Sequence, residues 1–226
     1  MPAVRTEVWN GELKLFVKCP LLINELVGFL ALLAECRRRH FKFLYSAESF
    51  SEGKKQRTIK KALSRLMTTY ERILSALNKG KIDYLVAGGV AVNLYGFMRS
   101  TGDLDIVLAL DENNLVRMDG VMKKLKFQPR APIQLGQLSQ QKVLQKLITE
   151  KNMQAYTFQP LDHSILEVDV LTAESQHFAD YKKRSITMKI NKTIIPLINI
   201  KDLIAMKKKT GRTTDKADID ALNDLQ

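Results

Sequence analysis

Between residues 83 and 108 the chain alternates apolar runs with small and polar residues in a strand–turn–helix–strand order. Asp83-Tyr-Leu-Val-Ala87 is short, apolar and partly β-branched or aromatic; Gly88-Gly89 interrupts it; Val90-Ala-Val-Asn-Leu-Tyr95 follows and stops at Gly96. A strand, a tight turn and a short helix are expected there. Asp103-Leu-Asp-Ile-Val-Leu108 then alternates acidic and apolar positions, the pattern of a strand with one wet and one buried face. Downstream the periodicity predicts helices over Asn113–Leu125 and Gln137–Thr149, and strands over Gln154–Phe158 and Ile165–Leu171. A hairpin pairs Ile186–Ile190 with Thr193–Ile198 around Asn191-Lys192, and two last helices, Asp202–Lys209 and Asp215–Leu225, are separated at Thr210-Gly-Arg-Thr213. This is the pattern of a mixed α/β (α+β) domain.

The N-terminal part reads differently. Leu21–Ala34 is strongly apolar but interrupted by Asn24 and Glu25, and it falls short of the roughly 20 residues a bilayer-spanning helix needs. Pro20 precedes the apolar run and a basic cluster follows it, the wrong order for a secretory signal. A packed helix is expected, with no membrane contact. Ser46–Gly53 is the linker candidate, and Thr58–Asn78 has helical spacing with Ile59, Leu63, Leu66, Ile73 and Leu77 on one side. The expected organisation is a helical N-terminal extension over residues 1–53 and a mixed α/β domain with C-terminal helices over 54–226.

Composition adds two constraints. Cys19 and Cys36 are the only cysteines and have no metal-ligand spacing, and His40, His163 and His177 lack the spacing of a zinc motif. Any metal is then held by carboxylates, and a reducing, cytoplasmic setting is expected. The formal net charge is +12, which favours an anionic partner. Its excess gathers in Arg37-Arg-Arg-His-Phe-Lys42, Lys54-Lys-Gln-Arg57, Lys60-Lys61 and Arg65. A polynucleotide could lie along these bases, or they could be the solvated face of a helix; steep salt dependence of RNA affinity would mark the former.

The chemistry concentrates around the glycines. Glycine lets the backbone approach a ligand and take positive φ, and the N–H groups of a following helix start favour an anion, so Gly88-Gly89 can form a phosphate corner or simply a tight turn. On a strand Asp103 and Asp105 point the same way. Two carboxylates on one face repel unless a cation lies between them, and magnesium with bridging phosphates is the usual solution; a solvated outer face on an edge strand is the alternative. Lys207 and Arg212 are cations suited to phosphates or to the surface.

The order Gly88-Gly89, Arg99-Ser-Thr101, Asp103-Leu-Asp105 resembles the motif of the nucleotidyltransferases of the DNA polymerase β superfamily, in particular the AbiEii-like and minimal nucleotidyltransferase groups of bacterial toxin–antitoxin and phage-defence systems. Leu166-Glu-Val-Asp-Val-Leu-Thr172 is similar to the strand bearing the third carboxylate, and Asp202–Lys207 with Gly211-Arg212 and Asp215 to the C-terminal helical segment. The resemblance spans residues 70 to 226; Val90 stands where many members have serine. It implies a mixed-sheet nucleotidyltransferase fold and an enzyme that transfers a nucleoside monophosphate from a nucleoside triphosphate such as ATP, releasing pyrophosphate. Magnesium, with manganese as an alternative, is implied at Asp103, Asp105 and Asp169, and the triphosphate at Gly88, Gly89, Arg99, Thr101, Lys207 and Arg212. Glu167 shares a face with Asp169 and competes with it; the family pattern favours the acid before the apolar-Leu-Thr run. Arg99 could instead form a structural salt bridge. The implied acceptor is RNA or a partner protein, with a cognate antitoxin as a further partner. An antibiotic-modifying enzyme and an inactive nucleotide-binding protein of the same fold are the alternatives; the basic charge speaks against a pocket for cationic drugs.

Overall fold

The computed structural model of the protein describes residues 4–9, 12–17, 69–97, 99, 101–161, 166–190 and 193–225. The chain divides into two compact units, Met1–Thr68 and Thr69–Gln226. In the first, strands β1 (Val4–Trp9) and β2 (Glu12–Val17) pair antiparallel, with Trp9 opposite Glu12. This corrects part of the expected helical extension, whose first 17 residues contain a strand pair. The signal lay in the sequence: Asn10-Gly11, between two alternating runs, is the dipeptide favoured in two-residue hairpin turns. The apolar helix expected over Leu21–Ala34, the linker and the basic runs fall outside the described residues.

The second unit is a mixed α/β domain built on a seven-stranded sheet. A helix over residues 69–79, α1, precedes β3 (Tyr84–Val86), α2 (Gly88–Leu94) and β4 (Asp103–Leu108). Then come α3 (Glu112–Lys124), β5 (Phe127–Pro129), a 3-10 turn at Leu135–Ser139, α4 (Gln141–Thr149), β6 (Ala155–Pro160) and β7 (Glu167–Leu171). Two short helices, α5 (Thr172–Ser175) and α6 (Phe178–Arg184), lead to β8 (Ile186–Ile190) and β9 (Thr193–Leu197), and α7 (Ile200–Thr210) and α8 (Thr213–Asn223) close the chain. The strand order is β5-β6-β7-β4-β3-β9-β8. Pairing is antiparallel except for β4 with β7 and β3 with β9.

The central strands are held by burial. Leu104, Ile106, Leu108, Val168, Val170, Tyr156 and Phe158 are each at most 1% exposed, and each such large side chain contributes about 1.5–3 kcal/mol by leaving water. They alternate with Asp103, Asp105, Asp169 and Thr157, all only partly buried. The register thus gathers the polar positions of three adjacent strands on one face. Asn114, fully buried in α3, ties the start of β3 to the end of β4: its Oδ1 accepts from the Asp83 N–H at 2.9 Å, and its Nδ2 donates to Asp83 O at 3.1 Å and Ala109 O at 2.9 Å.

The expected helix over Asn113–Leu125 is α3, capped by the Asp111 carboxylate on the Asn114 N–H at 3.0 Å. The single helix expected over Gln137–Thr149 is instead broken at Gln140, whose extended backbone separates the 3-10 turn from α4. α7 starts at an Asn199 cap and stops where Gly211 takes φ +63°, a left-handed conformation that favours glycine.

Candidate active site

β4 and β7 run parallel, with Asp103 beside Glu167 and Asp105 beside Asp169. Oxygens of Asp103, Asp105 and Asp169 all lie within 4.8 Å of one another. Three partly buried carboxylates at that spacing cannot all be ionised cheaply without a cation. The cost shows on Asp105: burial, then the charges of Asp103 and Asp169, push its pKa up to about 7, against the opposing Gly89 N–H and the Lys207 charge. Burial likewise raises Asp169, opposed by a hydrogen bond from the Thr157 side chain, with Asp103 and Glu167 adding to the rise and Arg130 reducing it. Asp169 Oδ1 is buried and has no hydrogen-bond partner. An orphaned carboxylate oxygen in a cluster of three acids is a donor set that suits a hard divalent cation such as magnesium.

Glu167 shares this face but is differently employed, because its carboxylate is bound by the Arg130 guanidinium. A paired acid is a weaker competitor for a metal than one with an unused oxygen.

The glycine turn is built against the acids. Gly88 sits at φ +59°, and a Cβ added there would fall 1.8 Å from Asp105 Oδ2. At Gly89 a Cβ would come 2.6 Å from Thr101 Oγ1 and 3.3 Å from the Arg99 guanidinium carbon. The absence of side chains at both positions is what lets β3, α2 and the segment before β4 converge. The Gly89 N–H hydrogen-bonds to the Asp105 carboxylate, and Thr101 Oγ1 donates to Asp103 Oδ1 at 3.0 Å. Gly88→Ala is therefore expected to destabilise the protein by about 2–4 kcal/mol in urea unfolding, through left-handed strain plus displacement of Asp105. Unchanged stability would show that the turn tolerates another conformation.

Behind the turn lies a buried ionic network. Asn93, fully buried in α2, clasps the backbone of Arg99, accepting from its N–H at 2.7 Å and donating to its carbonyl at 3.0 Å. The Arg99 guanidinium reaches Asp218 of α8 at 2.8 Å. Asp218 also binds the Lys207 ammonium at 2.6 Å, and Lys207 binds Asp215 at 3.2 Å. Burial works against an ionised Asp215, but the Thr210 hydroxyl, Lys207 and the Arg212 N–H outweigh it and hold its pKa below the usual range. Asp215 and Asp218 each face a cation, so neither is an unpaired buried charge, the arrangement that would cost most.

Of the candidate site residues, Gly88, Gly89, Thr101, Asp103, Asp105 and Asp169 meet directly, and Arg99 packs on the turn. Lys207 reaches the acids by its field on Asp105 and is salt-bridged to the C-terminal helix, while Arg212 is exposed at the start of α8. Asn93, Thr157, Arg130 and Asp218 escaped sequence reasoning. Asn93 and Asp218 sit in helices where such residues usually face water, and only their burial reveals them.

Among the described residues, no helix is long and apolar enough to cross a membrane. No protein-family model and no curated protein matches the chain. Among solved structures, the lincomycin-bound lincosamide antibiotic adenylyltransferase LnuA is similar over 70% of this chain and 96% of its own, with 14% identity and a TM-score of 0.47. An antigenic nucleotidyltransferase-like protein from Paracoccidioides brasiliensis is similar over 70% of this chain and 75% of its own, with 19% identity and the same TM-score, 0.47.

Proposed function

We propose that this protein is a metal-dependent nucleotidyltransferase that moves a nucleoside monophosphate from a nucleoside triphosphate to an acceptor hydroxyl, with pyrophosphate leaving. One observation carries the reading: Asp103, Asp105 and Asp169 converge from two parallel strands beside a positive-φ glycine turn, and Asp169 keeps a buried, unpartnered oxygen. Asp103 and Asp105 would hold magnesium or manganese, with Asp169 sharing it. When bound, the ion neutralises triphosphate charge and lowers the pKa of the acceptor hydroxyl. The chain's own residues do the rest. Gly88 and Gly89 let the turn close on Asp105 and Thr101, so that its backbone would meet phosphate next to the acids, and Thr101 fixes the Asp103 carboxylate. Asp169 Oδ1 takes the proton of the attacking hydroxyl as its oxygen bonds to the α-phosphorus and the bond to pyrophosphate breaks. Arg99, steadied by Asp218, supports the turn and would bring its positive charge near the phosphates.

RNA is the acceptor we assign, on the net charge of +12 and its concentration ahead of the catalytic motif. The motif's resemblance to toxin–antitoxin nucleotidyltransferases adds a toxin-like role and a cognate antitoxin as partner. Incubating the protein with each α-labelled triphosphate, magnesium, total RNA and lysate protein tests this. Transfer of label to RNA with release of pyrophosphate is expected. Label on protein would leave the chemistry standing and reject the acceptor, and no pyrophosphate release with any triphosphate in magnesium or manganese would reject the function.

A further inference from the structure

Among the described residues, two buried side-chain polar atoms have no hydrogen-bond partner, Asp169 Oδ1 and the Tyr70 hydroxyl. Asp169 belongs to the cluster of three acids, and the Tyr70 hydroxyl is buried close enough to feel the charges of Asp103 and Asp105. Tyr70 lies on α1 on the face of Ile73, Leu74 and Leu77, which are 0–3% exposed, and is itself only 4% exposed. A phenol is protonated at neutral pH and is a hydrogen-bond donor; burial, then the charges of Asp103 and Asp105, act in the same direction. The other buried tyrosines differ. Tyr84 donates to Asn78 Oδ1 at 3.0 Å, Tyr156 to Ile133 O at 2.7 Å, and Tyr181 to the Glu174 carboxylate. A buried hydroxyl without a partner costs stability, whereas a phenylalanine ring would fill the same space without that cost. What the hydroxyl lacks is an acceptor. The neighbouring carboxylates do not serve, and water bound to a cation turns its hydrogens outward and is a poor acceptor. Anionic phosphate oxygens, brought to the aspartates with a divalent ion, are the acceptors whose chemistry fits.

We propose that Tyr70 is a substrate-binding residue of this site, its hydroxyl donating a hydrogen bond to a phosphate oxygen of the bound triphosphate. This rests on the reading of the aspartates as a nucleotidyltransferase centre. Tyr70→Phe tests it by thermal shift and calorimetric titration. The probes are magnesium alone, magnesium with the α,β-methylene analogue of each of the four ribonucleoside triphosphates, and magnesium with inorganic tripolyphosphate. Without ligand the variant is expected to melt at the same temperature as the wild type or higher, because an unsatisfied donor has gone. Magnesium alone should stabilise both proteins equally. The dissociation constants of the preferred analogue and of tripolyphosphate should both rise about tenfold, the scale of one hydrogen bond to a charged group. Equal affinities in the two proteins, a lower melting temperature of the ligand-free variant, or weakening of the analogue but not of tripolyphosphate would each overturn the proposal. If the wild type binds neither probe, the nucleotidyltransferase reading itself has failed, an outcome distinct from a difference between the two proteins.

Discussion

Asp105→Asn is expected to lower nucleotide transfer by roughly a thousandfold or more while making the ion-free protein more stable. The two effects have one cause. Asp105 stands between Asp103 and Asp169, and its carboxylate is disfavoured by burial and by both neighbours. That repulsion is useful only when a divalent ion offsets it, so removing the charge removes the cation site together with the penalty. The asparagine should raise the melting temperature of the ion-free protein by about 2–4 °C per kcal/mol of relief, and it should abolish the stabilisation that magnesium with a triphosphate analogue gives. The pH dependence follows in sign. The folded protein keeps a proton on Asp105 up to about pH 7, whereas the unfolded chain releases it near the ordinary carboxylate value, so wild-type stability falls between those two pH values as pH rises. The advantage of the asparagine variant should be absent in acid, grow across that window and level off above it. Equal melting temperatures at all pH values, with metal-dependent stabilisation intact, would remove Asp105 from the site.

Much of this site was legible because its parts are local. A strand ending in two glycines, a short helix and an acid-alternating strand occupy residues 83–108, and period-two alternation alone puts Asp103 and Asp105 on one face. The long-range parts were not legible by that route. Which residue of β7 stands beside Asp105 depends on parallel register, and Glu167 and Asp169 both satisfy the alternation; pairing puts Asp169 there and leaves Glu167 beside Asp103 and bound to Arg130. Asp218 lies 119 positions from Arg99, and nothing local in Ala217-Asp-Ile-Asp220 separates a buried ion-pair partner from a solvated helix face. The same two-partner problem applies to Lys207: a lysine late in a helix reads as a surface or phosphate cation, yet packing places it between Asp215 and Asp218. β5, at three residues, and α6, at seven, are too short for their periodicity to stand out.

Asp169→Asn and Glu167→Gln should separate two acids that strand alternation alone leaves equivalent. Both remove one negative charge from the same face of β7, two positions apart, so any general electrostatic effect on the site is shared. What differs is the oxygen left over. Asp169 has a buried, unpartnered Oδ1, its charge is eased by a hydrogen bond from the Thr157 side chain, and it lies beside Asp105. Glu167 spends its carboxylate on Arg130 and is the more peripheral of the two. If Asp169 accepts the proton of the attacking hydroxyl, its amide can no longer do so, and turnover should fall by about a hundredfold or more, the range of general-base contributions. Triphosphate affinity should change little, because Asp103 and Asp105 remain, so the loss should appear in kcat with KM nearly constant. Glu167→Gln should change turnover by less than about tenfold, since an exposed ion pair of this kind contributes about 0–1 kcal/mol. Measured turnover and KM for the two variants decide the assignment. Inactivation by Glu167→Gln with Asp169→Asn still active would reverse it, and would mean that the Arg130 pair breaks when substrate arrives and frees Glu167 to take the proton.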